Sequence, residues 1–447
     1  MPTTQTDRAH PLLSDTPYAS YVYGYPHKTA YRPFDSPKPL DALWNGEDRG
    51  SLFLYVHIPF CEMRCGFCNL FTTVDHRARS TDSYLDALGR EVDQVAARLG
   101  DARFARMAVG GGTPTFLAVE QLARVFDLMQ DRFGADCGAM PTSVETSPAT
   151  ASGEKLALLR ERGVSRVSIG VQSFDEEDAR RIGRPMRRAE MLPALGRIRD
   201  AGFPLFNIDL IYGGEGQTTA KWMASVVEAV SFDPEELYLY PLYVRPLTTL
   251  GKLDHSWDDQ RLEAYRAARD YLVNAGYRQV SMRMFQKHGA GEPASSSAPH
   301  YCCQSDGMVG VGCGARSYTS AVHFSSEYAV GRSGVRAILD DYCARPAASF
   351  ATAGHGVELD RDEQARRGLI MSLLQCDGLD TALFELRFGE HPAARFPELS
   401  ELEALGLMVR EPGRLRLTPM GIERSDSVGP WLYSSAIRRR MEAYRLR

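Results

Sequence analysis

Between about residues 50 and 245, short apolar runs alternate with stretches whose apolar residues recur every three or four positions. The runs at 52–57, 106–110, 143–146, 166–171, 205–211 and 236–242 are rich in β-branched and aromatic residues and read as strands. The stretches 81–99, 119–133, 153–162 and 218–230 read as helices, with Asp82 placed to cap the first of them. Strand and helix in strict alternation predict a parallel sheet joined by helical crossovers. Six such units predict an α/β fold, a partial (β/α)6 barrel, and barrels of this kind gather their chemistry at the C-terminal strand ends.

The strand ends agree with that expectation. The first strand runs into a cysteine-rich loop and the second into Gly110-Gly111-Gly112-Thr113. The third ends at Glu145, the fourth at Gln172, and the fifth carries Asp209 near its end. The sixth runs into Tyr240-Pro241-Leu242-Tyr243. A polar or glycine-rich feature at all six ends predicts one shared site.

After Arg245 the pattern loosens. Residues 258–275 read as a helix, 289–297 as a flexible loop, and the glycine-rich run 308–318 as backbone packed close to a ligand or another segment. A helix at 362–374, a second short one at 401–407 and a strand pair within 409–417 predict a small winged-helix-like cap. The first 50 residues are rich in Tyr and Pro without a clear period and read as an irregular lid. The expected division is a lid at 1–50, the barrel with its extension at 51–320, and the cap at 321–447.

Composition narrows the class. A net charge of −5 and a pI near 6.1 argue against a nucleic-acid partner. No apolar run is long enough to span a membrane, and the first residues lack the core of a signal peptide, so a cytoplasmic protein is expected. Nine cysteines in 447 residues are too few and too uneven for a disulfide framework. Only six of the 52 basic residues are lysine, which reads as genome composition.

The cysteines that carry chemistry are Cys61, Cys65 and Cys68, in the stretch YVHIPFCEMRCGFCNLF. The C-x3-C-x2-C spacing puts three thiolates on one tight loop. Thiolates are the usual ligands of iron–sulfur clusters, and a cubane held by three leaves one iron open. A zinc site or unrelated thiols are the other readings of the spacing, but zinc generally wants a second C-x2-C or a His pair, and neither follows nearby. His57 precedes the loop and reads as a hydrogen-bonding neighbour of the ligands. Cys302, Cys303 and Cys313 read as incidental or buried thiols.

HIPFC-x3-C-x2-C, then GGGTPT, Glu145, IGVQSF and NIDLIYG in that order, resembles the HemN-like radical S-adenosylmethionine (SAM) family over roughly residues 50–320. A weaker likeness to a HemN-type C-terminal domain falls near 360–430. The resemblance implies a [4Fe–4S] cluster on the three cysteines and two SAM molecules. The first would touch Tyr55, Gly111, Glu145 and the backbone near Arg316. The second would touch Phe67, Gly112, Thr113, Gln172, Arg184, Asp209 and the stretch of Pro241, Leu242 and Tyr243. Tyr243 joins the cysteines as a catalytic candidate. Reductive cleavage of SAM to a 5′-deoxyadenosyl radical is the implied first reaction, with flavodoxin or ferredoxin as electron donor.

The family divides by what the radical attacks. The coproporphyrinogen oxidases of this family carry a fourth cysteine two residues after the third, where this chain has Leu70. On that difference and the long leading segment, the expectation is methylene or methyl transfer from the second SAM to an sp2 carbon of an aromatic natural product, cyclopropanation included, with a separate methyltransferase as partner. Oxidative decarboxylation of coproporphyrinogen III and haem binding by a chaperone are the alternatives.

Overall fold

The computed structural model describes residues 10–14, 16–75, 80–252, 260–290 and 307–445. Its main sheet comprises, in chain order, β1 (Arg32–Pro39), β2 (Leu52–Ile58), β3 (Phe104–Gly111), β4 (Thr142–Thr146), β5 (Arg166–Gln172), β6 (Leu205–Tyr212), β7 (Glu236–Pro241), β8 (Tyr277–Gln279), β9 (Met284–Lys287), β10 (Met308–Val311), β11 (Arg316–Tyr318), β12 (Val322–Ser325) and β13 (Thr352–Glu358). Strands β2 to β7 lie side by side in sequence order, every pair parallel. Strand β10 adds in parallel beside β2, followed by β11, β12, β13 and β1 as antiparallel neighbours. Beyond β7 come β9 and then β8, also antiparallel. The sheet stays open, as a partial barrel.

Period-2 geometry explains why these strands hold a site. On β2, Leu52, Leu54, Val56 and Ile58 are fully buried toward the helices, while Phe53, Tyr55 and His57 turn to the concave side. Strand β5 repeats the division, with Val167, Ile169 and Val171 in the core and Ser168, Gly170 and Gln172 facing inward. On β6, Ile208 and Leu210 are buried while Asp209 and Ile211 face inward. One face of each strand builds the fold and the other carries the polar groups.

The crossover helices Thr81–Leu99, Val119–Phe133, Gly153–Glu161 and Thr219–Ser231 match the expected positions to within a residue, and Arg188–Asp200 supplies another. In the first, Tyr84, Leu85, Leu88, Val92, Val95 and Leu99 form the buried stripe. Its N-cap is Ser80, not Asp82. Asp82 lies in the first turn and accepts a hydrogen bond from Gln121 Nε2 at 2.7 Å.

The glycine-rich run forms β10, β11 and the turn between them. A Cβ on Gly310 would stand 2.1 Å from the Arg316 carbonyl oxygen. A Cβ on Gly312, at φ +93°, would stand 2.5 Å from the His57 carbonyl oxygen and from the Tyr84 hydroxyl.

The C-terminal part contains the helix Arg361–Leu373 and a three-stranded antiparallel sheet of Leu379–Asp380, Met408–Glu411 and Arg414–Leu417, with the helix Glu398–Ala404 beside it, in the expected winged-helix-like order. Its apolar residues continue the core of the barrel. Among the described residues no helix is long and apolar enough to cross a membrane. Most of the 289–297 stretch lies outside the described residues.

Candidate active site

The concave faces of β2 to β7, the cysteine loop, residues 20–29 and part of the C-terminal domain enclose a cavity of about 880 Å³. Cys61, Cys65 and Cys68 all border it, on the loop that leaves β2. Each thiol has a polar neighbour. Arg184 Nη1 donates to Cys65 Sγ at 3.0 Å, Thr113 Oγ1 to Cys61 Sγ at 3.7 Å, and Thr72 Oγ1 lies 3.6 Å from Cys68 Sγ.

The glycine run after β3 locks onto this loop. Gly112 donates its N–H to the Ile58 carbonyl and Thr113 to that of Phe60, both at 2.7 Å. A Cβ on Gly112 would meet Phe60 O at 2.5 Å and Cys61 Sγ at 2.9 Å, so only glycine permits the approach. Burial pushes the Cys61 thiol up to about 12 and raises Cys65, where the Arg184 guanidinium pulls the other way. A metal bound by these thiols would displace their protons. Among the described residues no three His, Cys, Asp or Glu side chains form a single-ion site. Three all-sulfur donors around one space, with Arg184 balancing their charge, fit a cluster better than an ion.

Above the loop sit the strand-end residues. Glu145 opens into the cavity at the end of β4 and accepts the Gly111 N–H at 3.0 Å. Enclosure by protein and the nearby Asp209 charge push its carboxyl up to about 7, against the Gly111 bond. Asp209 is held by Ser168 Oγ at 3.1 Å and Asn207 Nδ2 at 2.8 Å, and burial raises it too. Tyr55 Oη lies 3.2 Å from His57 Nδ1, whose other ring nitrogen lies 2.9 Å from the Phe71 carbonyl oxygen. Protein atoms thus occupy both His57 nitrogens, and burial drives its pKa down to about 4.

Gln172 closes β5 at φ +71°, a left-handed conformation rare for a residue with a side chain. The Arg184 fork is spent on Cys65 and on the Gly170 carbonyl at 3.0 Å, which leaves Nε without a partner. Phe67 packs with Ile182, Ile211 and Leu242 on the wall. Pro241 and Tyr243 follow β7, and Tyr243 donates its hydroxyl to Asp426 of the C-terminal domain. Arg316, on β11, borders the opposite side with its Nη1 unpartnered. Glu62 Oε2 and Tyr23 Oη are likewise buried and unpaired among the described residues. Such orphaned groups around a roomy space fit polar cofactors.

Every described residue that the resemblance assigned to the cluster or to SAM thus borders this one cavity. The sequence reading missed Tyr21, Tyr23, His27 and Lys28 of the leading segment, and Arg367 and Met371 of the C-terminal domain. Tyrosine enrichment was the only signal for the first group, and none existed for the second. Cys302 and Cys303 lie outside the described residues. Cys313 is buried beneath β10, against a separate small cavity that Glu91 and Tyr342 also line.

The radical SAM superfamily signature matches residues 55–226, and the HemN C-terminal domain matches 359–423. A haem chaperone HemW of Bacillus subtilis is 28% identical over 374 residues, which cover 82% of this chain and 95% of that protein. An oxygen-independent coproporphyrinogen III oxidase of Pseudomonas aeruginosa is 28% identical over 441 residues, or 93% of this chain and 90% of that one. The solved coproporphyrinogen III oxidase HemN of Escherichia coli superposes with a TM-score of 0.74 at 24% identity, covering 91% of this chain and 93% of its own.

These relatives overturn the expectation of methylene or methyl transfer, cyclopropanation and a methyltransferase partner, because they are named for porphyrinogen oxidation and haem handling. Of the two features behind that expectation, Leu70 is 48% exposed at the cavity rim, outside the proposed ligand set of three cysteines. An oxidase that matches 93% of the chain cannot leave out the whole leading segment, so that segment is no mark of a different branch.

Proposed function

This chain belongs to the HemN-like radical SAM family, and from that premise we propose that it is an oxidoreductase which decarboxylates propionate side chains of a porphyrinogen such as coproporphyrinogen III. The observation that carries the reading is the shared cavity. The cysteine loop opens into a space of about 880 Å³ whose walls include Phe67, Phe71, Tyr21, Tyr23, Tyr240 and Tyr328. Aromatic walls suit the four pyrrole rings of a porphyrinogen, and their position beside the thiols brings its edge to the radical source.

In this reading Cys61, Cys65 and Cys68 hold the [4Fe–4S] cluster. Tyr55, Gly111 and Glu145 hold one SAM with the backbone near Arg316, and Phe67, Gly112, Thr113, Gln172, Arg184, Asp209 and Pro241 a second. When bound, the cluster and SAM would supply a 5′-deoxyadenosyl radical able to take a hydrogen atom from a propionate β-carbon, and loss of carbon dioxide to leave a vinyl group would then pass one electron to an external one-electron acceptor. The protein's own part is placement. Arg184 and Thr113 offset thiolate charge, Gly112 lets the loops close together, and ionised Glu145 accepts hydrogen bonds from a ribose or an amino group. The leading segment keeps water and oxygen out.

Reduced, reconstituted protein should convert coproporphyrinogen III deuterated on its propionate β-carbons and move the label into 5′-deoxyadenosine. Full SAM cleavage without label transfer would reject the reading. The second reading is haem carriage, favoured by the Bacillus subtilis relative matched over 95% of its length. It predicts a stoichiometric Soret titration with haem and no carbon dioxide release.

A further inference from the structure

Three basic side chains line the lid side of the cavity. Lys28, on the leading segment, holds its Nζ 3.6 Å over the ring of Tyr328. Tyr328 in turn donates its hydroxyl to the Asn69 carbonyl of the cysteine loop at 2.6 Å. Arg316 lies 4.6 Å from the Tyr23 ring and 5.3 Å from that of Tyr318, with Nη1 unpartnered. Arg245, just beyond β7, stacks 4.8 Å from the Tyr243 ring and reaches Ser20 Oγ at 3.4 Å.

The three converge on one place. The Tyr23 ring lies 4.6 Å from the Arg316 guanidinium and 5.4 Å from the ring of His27, which Lys28 follows in the chain. Burial and the like charge of all three lower the His27 pKa, and burial and Arg316 lower that of Lys28, against the pull of Cys68. Among the described residues none of the three makes an ion pair. Like charges gathered in a protein-walled space repel one another and have lost part of their hydration. Tyrosine faces return only a fraction of that cost. Cations with a purely structural role would sit against carboxylates, as Arg283 does against Asp426. What this cluster lacks is an anion.

We propose that Lys28, Arg245 and Arg316 form a carboxylate-binding site, assembled by the leading segment, the loop after β7 and β11, that takes a propionate of the substrate. The identity of that substrate rests on the reading above; the need for a carboxylate does not. The methionine carboxylate of SAM offers the same chemistry, so the test must separate the two sources.

The test uses reconstituted holoenzyme under anaerobic conditions, with coproporphyrin III as the probe and fluorescence quenching as the readout. Lys28→Met and Arg245→Gln should each weaken coproporphyrin III binding about tenfold or more. The tetramethyl ester of the same porphyrin should bind all three proteins alike. Iron content and the cluster absorption band check that the variants are folded and loaded, and a parallel titration follows SAM. Equal coproporphyrin III affinity in all three proteins would overturn the site. A loss confined to SAM would overturn the assignment to substrate. If the charge dependence holds but coproporphyrinogen III is not decarboxylated, the functional reading fails and the site stands. If decarboxylation proceeds with unchanged affinities, the reverse is true.

Discussion

At the scale of single residues, Glu145 has the most to say. Its carboxyl titrates near 7 instead of the ordinary 4.5, so the folded chain holds that proton more tightly than the unfolded one. The sign follows: this group makes the ligand-free protein less stable as pH rises from about 4.5 to about 7. The ionised form is also the better acceptor for SAM. Affinity for SAM should therefore rise between about pH 6 and pH 8 and level off above, and Glu145→Gln should bind more weakly with a flat profile. Isothermal titration across that range checks both points; a sloping profile in the variant would assign the effect to another group. Cysteine spacing and glycine runs made this neighbourhood legible, because cluster ligands and close backbone approach demand fixed residue types. Lys28 left no such mark, since a lone lysine in a tyrosine-rich stretch looks the same whether it meets solvent or a cavity.

At the scale of elements, the six parallel strands were legible because their core-facing positions form short apolar runs and their crossovers have helical period. Strand β1 was not. It carries three prolines in RPFDSPKP and five of its eight positions are exposed, the character of an edge strand with little apolar signal. The segment before it is fastened by contacts that no local pattern announces. Tyr25 donates its hydroxyl to Glu363, which also accepts Ser434 Oγ at 2.5 Å, and Arg440 Nε donates to the Ala30 carbonyl at 2.9 Å. Tyr25→Phe leaves one Glu363 oxygen without its donor, at a cost of about 1–3 kcal/mol. Limited proteolysis within the leading segment should quicken while iron content holds. An unchanged cleavage rate would show that the segment is held by its apolar contacts instead.

At the scale of the whole molecule, the C-terminal domain is part of the site. Asp426 pairs with Arg283, both almost fully buried, and takes the Tyr243 hydroxyl, so one carboxylate joins the cap to the cavity wall. Removing one member of such a pair strands a charge, which typically costs about 3–5 kcal/mol, whereas replacing both by apolar residues of similar size often restores it. Asp426→Ala should lower the thermal midpoint by several degrees, and Arg283→Met combined with Asp426→Leu should recover most of the loss. If the double replacement is as unstable as the single one, packing rather than charge decides the junction. The sequence indicated a cap but not that it reaches the cavity, because such contacts join residues far apart in the chain. The pairing of β1 with β13 has a consequence for the order of events during synthesis. The partner strand emerges about 300 residues after β1, so at about 5–20 residues per second the ribosome takes roughly 15–60 s to supply it. Through that interval the cysteine loop is already made while β1, and with it the cavity-lining residues 20–29 just before it, has no strand to pair with, so the loop stays open to iron and sulfide until the chain is nearly complete.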